Sequence, residues 1–140
     1  MVRIKGVLRK IFKPKSMETN EEFIKRKNAD FSKKKIIPLK DVGRKGKYHL
    51  EREAWTFMPQ HNLSNKVFCI ERLKLIKIEG EITHTELKIG NIEYRFGYYI
   101  VGKIGMAKDK WWWGQSCPLI PAEDFKKLIQ KAETEGTILA

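Results

Sequence analysis

The chain has 140 residues, of which 41% are hydrophobic and 33% charged, and its formal net charge is +12. That length suits one domain with its own core, and the composition is globular rather than disordered. No apolar run approaches the roughly 18 residues of a membrane span. Cys69 and Cys117 form no disulfide framework, so both are expected as thiols in a reducing, cytoplasmic setting.

The charge is unevenly spread. Residues 1–50 hold 16 Lys/Arg against 5 Asp/Glu, whereas residues 51–140 hold 13 against 12. Such asymmetry points to a polyanionic partner: nucleic acid, an anionic surface or an acidic protein. The expected organisation is a basic N-terminal arm with a short helix over residues 1–40 and a single α+β domain over residues 41–140.

Residues 1–15 carry six basic side chains and no acidic one, interleaved with Val2, Ile4, Val7, Leu8, Ile11 and Phe12. Leu8, Ile11 and Phe12 have helical spacing, but Gly6 weakens a helix and Pro14 ends it. Three readings follow in order: an arm on a polyanion, an amphipathic segment on a membrane surface, and a mitochondrial transit peptide. Lys5, Arg9, Lys10 and Lys13 interrupt any secretory apolar core. Thr19-Asn20-Glu21-Glu22 then fits a capping box and starts a helix with a thin apolar face at Phe23 and Ile24. The helix runs through Lys25-Arg26-Lys27 towards Lys33-Lys34-Lys35. Pro38 and the loop Gly43-Arg44-Lys45-Gly46-Lys47 close this region.

Residues 47–57 and 66–79 read as strands, the second with a slip in its alternation near Leu75-Ile76 that suggests a bulge. Ile89-Gly90-Asn91-Ile92 reads as a two-residue hairpin turn. The register it implies sets Lys88 against Glu93, Leu87 against Tyr94, Glu86 against Arg95 and Thr85 against Phe96. The second strand continues with Tyr94, Phe96, Tyr98 and Ile100 on one face, expected to be the core. Trp111 to Gln115 reads as another strand, in which Trp112 opposes Trp111 and Trp113 and is the one expected to be exposed. A final helix is predicted from Pro121, with Phe125, Leu128, Ile129 and Ala132 as its apolar stripe. Gly136 is its cap, with Ile138-Leu139 folding back on the last turn.

The fold expected from these elements is α+β: a small, mostly antiparallel sheet or partly closed barrel, packed by the C-terminal helix, with a basic helical or extended N-terminal arm. Chemistry is sparse. Glu86-Leu87-Lys88 resembles the Glu-x-Lys element of the PD-(D/E)xK nucleases. That resemblance implies metal-dependent phosphodiester cleavage around Glu86 and Lys88, with Asp41 or Glu79 as the further acid; the Pro-Asp element of that family is absent. Cys117 precedes a helix start, yet no histidine (His49, His61, His84) is paired with it by spacing, and a small structural thiol is the expectation. The same residues lack metal-ligand spacing, so no metal and no cofactor are expected.

The leading expectation is a non-enzymatic module binding DNA or RNA. Phosphate contacts fall to Arg3, Arg9, Lys10, Lys13, Lys25, Arg26, Lys27, Lys33, Lys34, Lys35, Arg44, Lys45 and Lys47, and base stacking to Trp112. The alternatives are the nuclease around Glu86 and Lys88, and an interaction subunit with an acidic partner.

Overall fold

The computed structural model describes residues 17–40, 45–81 and 86–140. Helix α1 (Asn20–Lys33) is followed by strands β1 (Ile36–Leu39), β2 (Lys47–Gln60), β3 (Leu63–Glu79), β4 (Ile92–Val101) and β5 (Trp111–Trp113), and by helix α2 (Ala122–Thr134). The strands form one antiparallel sheet in chain order, β1-β2-β3-β4-β5, curved into a half-barrel. The α+β expectation therefore holds. No helix among the described residues is long and apolar enough to cross a membrane.

The curvature has a local cause. β2 and β3 are long, and their ladder is interrupted between His49 and Leu50, between Arg52 and Ala54, and again near Gln60. The first interruption leaves Ile76 unpaired, where the alternation of β3 slips. An extra residue on one strand increases local twist and bends the sheet.

Both faces of the sheet are covered. On one face, α1 lays Phe23 and Phe31 onto Phe57, Val67, Cys69 and Tyr99, with Trp55, Trp111 and Trp113 packed around them. The Phe23 and Trp111 rings stack with centroids 4.5 Å apart. Thr19 and Glu22 close the predicted capping box at the start of α1. Stretch 20–39, expected in a basic arm, thus supplies two core phenylalanines and an edge strand. On the opposite face, Leu128 and Ala132 of α2 are buried on Phe68 and Ile70. Past the helix, Gly136 takes φ +79°, and the Thr137 amide donates to the Ala132 carbonyl at 2.8 Å. That is a glycine-terminated Schellman end, and it turns Ile138 back onto the helix. Pro121 stands one residue before the helix, and Phe125 of the predicted stripe is 52% exposed.

The predicted hairpin between residues 85–89 and 92–96 is replaced. Gly90 does take φ +96°, but the chain turns onto β3. The Gly90 amide donates to the Leu75 carbonyl at 2.7 Å, and the Leu75 amide donates to the Asn91 carbonyl at 2.9 Å. β4 then pairs with β3 from Lys74↔Ile92 to Lys66↔Ile100, so Arg95 faces Glu71 rather than Glu86. Glu86 and Lys88 lie in an exposed turn segment, and Thr85 is outside the described residues. The reason is length: β3 offers a full-length, half-buried partner, whereas an isolated two-stranded ribbon is marginal in water. The sidedness of β4 is also corrected. Tyr94 and Phe96 are on the α2 side but exposed, while Tyr99 and Val101, on the α1 side, are buried.

One polar layer crosses the α1 face. Glu71 is fully buried, and its carboxylate accepts from Arg52 Nε at 2.7 Å and from Arg95 Nε and Nη2 at 2.5 and 3.0 Å. Arg52 also donates to the Lys34 carbonyl at 2.8 Å and lies over the Phe31 ring. The triad separates the aromatic cluster under α1 from a leucine cluster of Leu50, Leu73 and Leu75.

Candidate functional site

The structure sorts the predicted cations into separate groups. Arg3, Arg9, Lys10, Lys13 and Arg44 lie outside the described residues, as does Asp41. Lys25, Lys33, Lys34 and Lys35 are exposed on α1 or just beyond it, and none has an ion-pair partner among the described residues. Lys25 and Lys33 are two turns apart, about 12 Å along the helix axis.

Arg26 and Lys27 are already engaged. Arg26 holds the Glu18 carboxylate with two bonds of 2.8 Å, and its hydrogen bond keeps the Glu18 carboxyl below its ordinary range. Lys27 lies over the rings of Phe23, Phe31 and Tyr99, 5.0 Å from the last. Burial, with Arg26 beside it, lowers the ammonium's pKa. Lys27 thus serves the aromatic cluster as an amphipathic cover as much as it presents charge. Beyond it, a hollow of about 290 Å³ between α1 and β1 gathers Lys27, Lys34 and Arg52 with Phe31 and Tyr99, against the single acid Asp30. Lys45 makes a long exposed pair with Glu81 at 3.7 Å, and Lys47 is exposed at the start of β2.

The tryptophan run divides as its alternation predicts. Trp111 and Trp113 pack into the α1 face, and Trp111 donates its indole N–H to the Glu18 carbonyl at 3.0 Å. Trp112 points the other way and is 49% exposed. A hollow of about 310 Å³ beside it is lined by Glu18, Arg26, Asp109, Lys110, Trp111 and Trp112. A second, of about 390 Å³, includes Tyr98, Ile100, Trp112, Gln115 and Ser116. Trp112 therefore borders the hollow of Lys110, Asp109 and the Arg26–Glu18 pair near the N-terminal end of α1, while its side chain turns to the opposite face. Lys33, Lys34 and Lys35 are at the other end of that helix, towards the β1 edge, so the predicted residues do not converge on a single site.

Sequence reasoning missed Lys110, Lys66 and the triad. Lys66 places its ammonium about 5 Å from the rings of Phe68 and Tyr98 and donates to the Leu119 carbonyl, and burial lowers its pKa. A signal for the triad did exist. Val67, Cys69, Glu71 and Leu73 fall on one face of a strand, and a carboxylate among three apolar side chains demands a buried partner.

Around the nuclease-like element, Glu79 is bonded by Lys77 and His49, which hold its carboxyl down at about 2. Among the described residues no three His, Cys, Asp or Glu side chains come together as metal ligands. Cys69 is buried in the aromatic cluster, where burial and the nearby Glu71 raise its thiol pKa well above the usual value; Cys117 is exposed. Comparison with protein-family models, with curated proteins and with solved structures finds no match for this chain.

Proposed function

We propose that this chain is a non-enzymatic nucleic-acid-binding module that favours single strands. The observation that carries the reading is the half-exposed Trp112, which borders a hollow where Lys110 stands beside Asp109 and the Arg26–Glu18 pair. A flat aromatic surface beside cations suits an unpaired base and its phosphate, and stacking of this kind tolerates any base. The exposed Lys25, Lys33, Lys34 and Lys35 extend positive charge along and beyond α1. The sixteen basic residues of the first fifty supply the longer-range attraction.

The test is anisotropy titration of labelled single-stranded and duplex oligonucleotides over a range of salt. Single strands should bind more tightly, with affinity falling steeply as salt rises. Trp112→Ala should weaken single-strand binding by about 1–3 kcal/mol while leaving the fold intact. Binding that ignores salt, or a Trp112→Ala protein that binds like the parent, overturns the proposal. Preferential binding to an acidic protein over either oligonucleotide would assign the charge to a protein partner instead.

A further inference from the structure

On the α1 face, past the Arg52–Glu71–Arg95 triad, the half-barrel forms an open-mouthed cavity of about 420 Å³. It is walled by Leu39, Leu50, Leu73, Leu75, Leu87 and Tyr48, with Arg95 and Glu93 on the β4 side. The volume lies within the range of small-molecule sites, about 300–1,000 Å³. The leucines give the hollow an apolar floor, and Arg95 and Glu93 give it a polar side open to solvent, a combination that suits an amphiphile.

Its charge identifies the occupant further. The triad holds one carboxylate between two guanidinium groups, so the cluster carries a net charge of +1 beside the cavity. Arg95 carries the part of that charge that reaches solvent, with its guanidinium 5.3 Å from the Trp113 ring centroid, and a carboxylate arriving there would meet it with a charge-assisted bond. Arg52 also gives Nη1 to the Lys34 carbonyl and lies over the Phe31 ring, on the side away from the leucines. Arg95 gives Nε and Nη2 to Glu71, while Nη1 makes no hydrogen bond among the described residues, and its side chain remains 30% exposed. Glu93 precedes Arg95 by two positions on the same face, but it is exposed and forms no ion pair with Arg95. We propose that this cavity is a binding site for a small amphiphile with an apolar body and one carboxylate, the carboxylate meeting Arg95 and the body lying over Leu50, Leu73 and Leu75. This site is independent of the nucleic-acid reading.

The experiment uses methyl NMR of the full chain titrated with decanoate, octanoate and hexanoate, and with decanol as the uncharged counterpart. Decanoate should shift the methyl signals of Leu50, Leu73 and Leu75, and affinity should rise by about fourfold for each methylene added along the series. Decanol should bind at least about tenfold more weakly, for want of the charge-assisted bond. Leu87→Trp, at a partly exposed wall position, should narrow the cavity and weaken decanoate binding at least about tenfold. The ligand series on the unaltered protein stands whether or not that variant folds. Equal affinity for decanol, shifts at the Trp112 indole in place of the leucine methyls, or no saturable binding would each overturn the proposal.

Discussion

Glu71 is the residue on which most depends. Its carboxylate satisfies two guanidinium groups in the interior, so Glu71→Gln leaves two cations facing a neutral amide. The expected cost is about 3–5 kcal/mol, read as a large drop in urea midpoint, because breaking a buried ion pair strands its partners. The neighbouring tryptophans separate by burial. Trp111→Ala or Trp113→Ala should cost about 3–5 kcal/mol, and Trp112→Ala less than about 1 kcal/mol in the same melts. Equal losses at all three positions would make Trp112 a core residue and remove it from any binding surface. Asp124 sets a pH dependence. Burial pushes its carboxyl up, but hydrogen bonds from the His61 ring and amide outweigh this, and its pKa is lowered in the fold. A lowered carboxyl contributes stability above its unfolded pKa, about 3.9, and loses it as pH falls through the folded value. Asp124→Asn should therefore flatten the fall in Tm below about pH 4 that the parent protein shows.

The elements are joined by a few close approaches. β5 is only three residues long, yet it closes the edge of the sheet because Trp113 lies across Gly97 of β4. A Cβ at Gly97 would run into the far ring of Trp113, and the rigid indole, held against Tyr99, has little room to retreat. Gly97→Ala should cost about 1–3 kcal/mol, as overpacking does, and thermal melts will show it. α1 is fixed from both ends of its length. The capping box starts it, Asn28 accepts from the Trp55 indole at 2.8 Å, and Phe23 and Phe31 anchor it in the core. Thr19→Ala should cost about 1 kcal/mol. Phe23→Ala should cost several times more, about 3–5 kcal/mol, which distinguishes a core helix from an appended arm.

At the scale of the molecule, a two-sided sheet carries α1 on one face and α2 on the other, and the positive charge is concentrated towards the chain's start. Because Phe23 and Phe31 are structural, a test of the N-terminal charge must stop short of Thr19. Deletion of residues 1–16 removes six cations and keeps the capping box. It should leave Tm within a few degrees of the parent while weakening oligonucleotide binding and lowering its salt slope. A deletion that leaves affinity and slope unchanged would place the phosphate contacts elsewhere.

Much of the architecture was legible in order along the chain. The capping box at Thr19, the slip at Ile76, the opposition of Trp112 to its neighbours and the glycine end of α2 are local patterns, fixed by backbone geometry within a few residues. The exposed Trp112 of the candidate site was legible for the same reason. What could not be read was the partner of each element. The turn at Gly90 was real, but turn chemistry is indifferent to whether the chain returns on residues 85–89 or on β3; burial of a long strand decided that. Arg95 accordingly met Glu71, not Glu86, and a surface ion pair became a buried triad. Lysines 27 and 34 were read as charge alone, since nothing in their own neighbourhood announces that Tyr99, more than sixty residues on, covers one side of their hollow. The sequence by itself determined the α+β class, most of the elements and the basic start of the chain, because those rest on local propensity and composition. Only the tertiary structure decided that α1 belongs to the core, that Arg95 borders a leucine-lined hollow, and that Trp112 borders the hollow of Lys110, Asp109 and the Arg26–Glu18 pair. Those are contacts between distant residues, set by which pairing buries the most surface.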